Sequence, residues 1–102
     1  AIIMGLQMRI VLIGQAAFGE KALQTLVERG GEVVGVYTPP DIPGKTNPLK
    51  STALQLDIPV FQPERMRTPK VYDEYIKLKP DLLVTNNQQT AVIWWFFNQD
   101  FG

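Results

Sequence analysis

The sequence predicts an α/β fold built around a parallel sheet, and three features carry that prediction. Arg9-Ile10-Val11-Leu12-Ile13 is a short, nearly continuous apolar run, the pattern of a strand covered on both faces. The run enters Gly14 and a tight turn, and a helical pattern opens at Gly19. Strand, glycine turn, helix is the first unit of a doubly wound domain, whose ligands sit beyond the carboxyl ends of the strands. The third feature is repetition: the same unit recurs downstream with connections of ordinary length, which calls for right-handed crossovers.

From Glu20 to Arg29, apolar residues fall at Ala22, Leu23, Leu26 and Val27, which gives a helix one buried face. Gly30-Gly31 ends it, because glycine takes the left-handed cap conformation without a Cβ clash. Residues 32–37 form a second strand, in which Gly35 marks close approach by a neighbouring element. The prolines at 39, 40 and 43 exclude both helix and central strand from the following loop. Asn47-Pro48 caps a short helix over 48–56 that presents Leu49, Ala53, Leu54 and Leu56 inward. A brief third strand covers 59–61. Thr68-Pro69 then starts a helix over 69–78 that buries Val71, Tyr72, Tyr75, Ile76 and Leu78. Pro80 stops that helix, and 81–84 is a fourth strand. The β-branched and aromatic run from Ala91 to Phe97 reads as a further, buried strand. Its side chains need cover on both faces, from the helices or from a second copy, so it is also a candidate homo-oligomer contact.

Composition narrows the chemistry. A chain of 102 residues is one domain, and 45% apolar residues suffice for a core. Ten basic residues balance ten acidic ones, so no global field draws the chain to nucleic acid or anionic membrane. With no cysteine and no histidine, disulfides, thiolate or imidazole metal sites and the commonest general base are missing, so no metal is expected. Residues 1–7 read as an N-terminal extension without the basic start of a signal peptide. No apolar run approaches the roughly 18 residues of a membrane span, so a cytoplasmic setting is expected.

The turn Gly14-Gln15-Ala16-Ala17-Phe18-Gly19 is the leading candidate site. It lacks the G-x-G-x-x-G spacing of dinucleotide folds and the G-K-[ST] end of a phosphate loop, and no acidic residue closes the second strand. A helix start can still hold an anion, and the same spacing also suits a plain turn. Strand order 3-2-1-4 would bring the amides after the fourth strand beside this turn. The candidate ligand-binding set is therefore Gly14, Gln15, Phe18, Asn86, Asn87 and Gln88. Asp41 and Lys45 lie on the proline loop at the same edge, and Arg65, Arg67 and Lys70 form a modest basic cluster.

The stretches MRIVLIGQAAFG, EVVGVYTPPD with PGK and NPL, IPVFQPE and KPDLLV resemble the N-terminal part of the formyl transferase family, over residues 8 to about 84. That family includes tRNA formyltransferases and the hydrolase domain of 10-formyltetrahydrofolate dehydrogenases. The resemblance implies a Rossmann-like parallel sheet of four or five strands with flanking helices, here an incomplete domain over 8–102 whose part 85–102 departs from the family pattern. It implies 10-formyltetrahydrofolate as donor or substrate, with transfer and hydrolysis both open. The family's chemistry rests on a histidine motif and a later aspartate. With no histidine here, no catalytic residue is assigned, and the isolated chain is expected to be inactive. Asp41, Lys45 and Asp100 are what remains for proton handling. The family's tRNA-acting members carry a longer, basic loop where this chain has Asp41 to Lys45 with a single lysine, which argues against tRNA as a partner. Two other readings stand beside this one: an association module using 91–97, and a small nucleotide-binding domain using Gly14 to Gly19.

Overall fold

A computed structural model describes residues 8–85. The elements run β1 (Arg9–Ile13), α1 (Ala16–Glu28), β2 (Glu32–Tyr37), α2 (Pro48–Gln55), β3 (Val60–Phe61), α3 (Pro69–Lys77) and β4 (Leu82–Thr85). The four strands are parallel and lie in the order β3-β2-β1-β4, a Rossmann-like arrangement with helices flanking the sheet. The extension at 1–7, the expected fifth strand at 91–97, and Asn86, Asn87 and Gln88 lie outside the described residues.

β1 is central, and its alternation divides the core. Ile10 and Leu12 join Leu23 of α1 and Leu49 and Ala53 of α2 on one face. Val11 and Ile13 meet Tyr37 and Val71 on the other. On β2 the pairing slips between Ile10 and Val11, whose partners are Val33 and Gly35. That slip lets Val33 and Val36, three apart, reach the same face, while Val34 and Tyr37 reach the opposite one.

Helix ends follow the local chemistry. Gly30, at φ +81°, ends α1: its N–H donates to the Val27 carbonyl and that of Gly31 to the Leu26 carbonyl. The Asn47 side chain accepts from the Lys50 N–H at 3.2 Å, and the Thr68 hydroxyl accepts from the Val71 N–H at 3.3 Å. Thr68→Ala should therefore lower stability by about 1 kcal/mol, read as a lower urea midpoint with an unchanged slope.

Three expectations are corrected. α1 begins at Ala16, so Gly19 sits inside the helix rather than opening it. The reason is packing: a Cβ on Gly19 would run into the buried Leu49 side chain, so glycine here is what lets α2 lie close to α1. Leu54 and Leu56 are 56% and 43% exposed, because α2 ends at Gln55 and Asp57, at φ 59°, turns the chain so that Ile58 enters the core instead. Ile76 is likewise exposed. Val71, Tyr72, Tyr75 and Leu78 already form the stripe that faces the sheet, and Ile76 lies off it.

The amino edge of the sheet is tied down by Arg9. Its backbone N–H donates to an Asp81 carboxylate oxygen at 2.9 Å, its Nε donates to the Leu78 carbonyl at 2.9 Å, and its carbonyl accepts from the Asp81 N–H at 2.7 Å. The cavities that bear on function lie at the opposite, carboxyl edge.

Candidate ligand site at the carboxyl edge

Gly14 continues β1 by one residue, donating its N–H to the Tyr37 carbonyl at 3.0 Å. A Cβ at Gly14 would come within 3.3 Å of the Gly19 Cα and 3.5 Å of the Phe18 ring, which explains the glycine in so tight a strand-to-helix turn. Gln15 then caps α1 without a side-chain hydrogen bond. Phe18, in the first turn of α1, is 44% exposed, a large apolar side chain presented to solvent.

Two cavities open beside this turn. One of about 140 Å³ is lined by Ile13, Gly14, Tyr37, Thr38 and Pro39–Pro40, and by Pro63, Glu64 and Met66 from the connection after β3. The other, about 410 Å³, lies between Gln15 and the proline loop, whose Ile42, Lys45 and Asn47 form its far wall. Of the candidates, Gly14 lines the first and Gln15 the second, while Phe18 lines neither. Arg65 and Lys70 border a third cavity of about 480 Å³ on the far side of β3, together with Glu64 and Glu74.

The proline loop is held in place at both ends. Buried Thr38 accepts from the Asn47 side-chain amide at 3.0 Å. Asp41 accepts from Lys50 Nζ at 2.7 Å and from the Gln62 amide at 2.8 Å, and the same amide donates to the Pro39 carbonyl at 3.1 Å. Thus Asp41 pairs with Lys50 of α2, not with Lys45 of its own loop. Hydrogen bonds from Lys50 and then Gln62 hold the Asp41 carboxyl below its ordinary value. A carboxylate lowered in the folded state supports the loop above the ordinary carboxylate range, and that support fades as pH falls through its lowered pKa. A carbon-detected NMR titration should therefore place Asp41 below a free aspartate, and Lys50→Met should move it back up. An unmoved midpoint in the variant would show that Lys50 is not the cause.

Tyr37 was passed over by sequence reasoning. It is fully buried at the end of β2 and stacks on Phe61, with ring centroids 4.8 Å apart. Its hydroxyl is buried and has no hydrogen-bond partner among the described residues. Burial pushes its pKa up, and the negative charge of Glu74 pushes the same way, so the phenol keeps its proton. The only sequence signal was its place at the carboxyl end of a strand.

The methionyl-tRNA formyltransferase of Bacillus pumilus (strain SAFR-032) is 47% identical over 83 residues, which cover 76% of this chain and 26% of the relative. The enzyme of the same name from Bacillus subtilis (strain 168) is 46% identical over an equal span, and that of Geobacter sulfurreducens 43%. The chain carries the N-terminal part of the formyltransferase family. It spans about a quarter of the length of the curated relatives it matches. No family model matches.

This family relationship overturns the expectation that tRNA is not a partner, because the relatives are named for methionyl-tRNA. That expectation rested on one lysine in one loop. Phosphate contacts sum over a whole binding surface, so a local charge count cannot exclude a polyanion. Among the described residues, no helix of this formyltransferase-family chain is long and apolar enough to cross a membrane.

Proposed function

We propose that the chain is the N-terminal scaffold of a cytoplasmic formyltransferase that takes its formyl group from 10-formyltetrahydrofolate and passes it to methionyl-tRNA. The observation that carries this reading is the identity of 43–47% with relatives of that name. It is supported by the carboxyl edge, where the exposed Phe18 and the cavity beside Gln15 offer an apolar ring and room for a flat heterocycle. In this reading Gly14, Gln15 and Phe18 contact the folate-type ligand, and Asn86, Asn87 and Gln88 join them from beyond β4.

The scaffold binds and orients but does not by itself move protons for acyl transfer. The chain has no histidine, and at this edge Asp41 is committed to Lys50 and Gln62. Calorimetric titration of the 102-residue chain with 10-formyltetrahydrofolate should give saturable binding. Phe18→Asp should weaken that binding about tenfold or more, since a buried aromatic contact is worth at least ~1.4 kcal/mol. Absence of binding, or equal binding by the variant, would reject the site. In parallel, filter binding to methionyl-tRNA across a salt series should show affinity that falls with salt. Formyl transfer by this polypeptide alone would reject the division of labour.

A further inference from the structure

The proline loop cannot extend the sheet that it leaves. The pairing of β2 with β3 ends where the Thr38 N–H donates to the Phe61 carbonyl at 3.0 Å, and Pro39 and Pro40 have no N–H with which to continue it. Side chains take over from there. Half-buried Gln62, the residue after β3, turns its Nε2 toward two acceptors on the loop, the Pro39 carbonyl at 3.1 Å and Asp41 Oδ1 at 2.8 Å. The second carboxylate oxygen of Asp41 accepts from Lys50 Nζ at 2.7 Å. Gln62 thus joins the end of β3 to Pro39 and Pro40, which help to wall both cavities beside the Gly14 turn, while its own side chain lines neither.

We propose that Gln62 is a positioning residue for the ligand of the carboxyl edge. By clamping Pro39 and Asp41 it sets the distance between the proline loop and Gln15, and hence the fit of the cavity of about 410 Å³. The proposal rests on the reading of that cavity as the folate-type site. The chemistry of the clamp is specific. Both partners are acceptors, so the clamping atom needs two donor hydrogens. A primary amide supplies them, and so does an ammonium. A carboxylate in the same place has nothing to donate and faces both the Asp41 charge and the Pro39 carbonyl oxygen. An unclamped loop must be ordered each time a ligand binds, which lowers affinity without the loss of any direct contact.

The test compares the full chain with Gln62→Glu and Gln62→Lys, by calorimetry with 10-formyltetrahydrofolate and by the rate of tryptic cleavage after Lys45, on the loop. Cleavage after Lys21, within α1, reports global opening in the same digest. Gln62→Glu should bind about fivefold more weakly or worse, and be cut about fivefold faster after Lys45, the effect of losing a hydrogen bond to a charged group. Its cleavage after Lys21 should not change. Gln62→Lys should return both readings to within about twofold of the wild type, because its ammonium can donate to the same two oxygens. Faster cleavage of Gln62→Glu at both lysines, or its failure to fold, would mean that Gln62 supports the whole fold, and would overturn the proposal. So would wild-type affinity in Gln62→Glu, unchanged cleavage after Lys45, or a Gln62→Lys that behaves like Gln62→Glu. A wild type that does not bind 10-formyltetrahydrofolate rejects the folate reading, and the proposal falls with it; cleavage after Lys45 tells that outcome apart from a failure of the clamp.

Discussion

Gly19→Ala should destabilise the protein by about 1–3 kcal/mol, and a smaller residue at Leu49 should relieve the penalty. The added methyl would collide with the end of the Leu49 side chain and stand 3.1 Å from its Cγ, while Leu49 itself is fully buried between the helices and the sheet. Overpacking of this kind forces a rotamer change or a shift of the α1–α2 contact. Leu49→Ala alone should cost about 2–5 kcal/mol through the cavity it leaves. In the double variant the new methyl occupies part of that cavity, so the two costs should fall short of additivity by about 0.5–3 kcal/mol. Urea unfolding of the four proteins measures the cycle. Strict additivity would mean that Gly19 and Leu49 do not share this contact.

The second large effect is expected on the other face of the sheet. A Cβ at Gly35 would lie 2.8 Å from the Leu78 Cδ1 and 3.3 Å from the Phe61 ring. Gly35→Val adds two further methyls beyond that Cβ, which must displace Leu78 at the end of α3 and press on the Tyr37–Phe61 stack. A loss of about 3 kcal/mol or more is expected, at the upper end of the overpacking range. Because the strain falls on α3, protection of its amides from hydrogen exchange should drop before that of β1. If α3 and β1 lose protection together, the defect is global and the local contact is not its origin.

Much of the fold was legible because it is written in short-range chemistry. The apolar run of β1, the Asn47-Pro48 and Thr68-Pro69 starts, and the glycine stop at Gly30 each depend on residues within a turn or two of one another. Gly35 was also legible, since a glycine inside a strand announces a close neighbour even before that neighbour is known. The candidate site was legible only as a place. The carboxyl edge follows from strand–turn–helix connectivity; Gly14 and Gln15 each border a cavity there, and Phe18 borders neither.

By itself, then, the sequence determined the order and kind of the elements, the parallel sheet they build and the family to which the stretch is related, because local patterns and caps carry that information along the chain. Only the tertiary structure decided that Gly19 lies within a helix–helix contact, that Leu54, Leu56 and Ile76 face solvent, that Asp41 pairs with Lys50, and that the Tyr37 hydroxyl is enclosed. Each of these depends on which distant surfaces meet. Nothing local to Tyr37 distinguishes a buried phenol from an exposed one until β3 and α3 close over it.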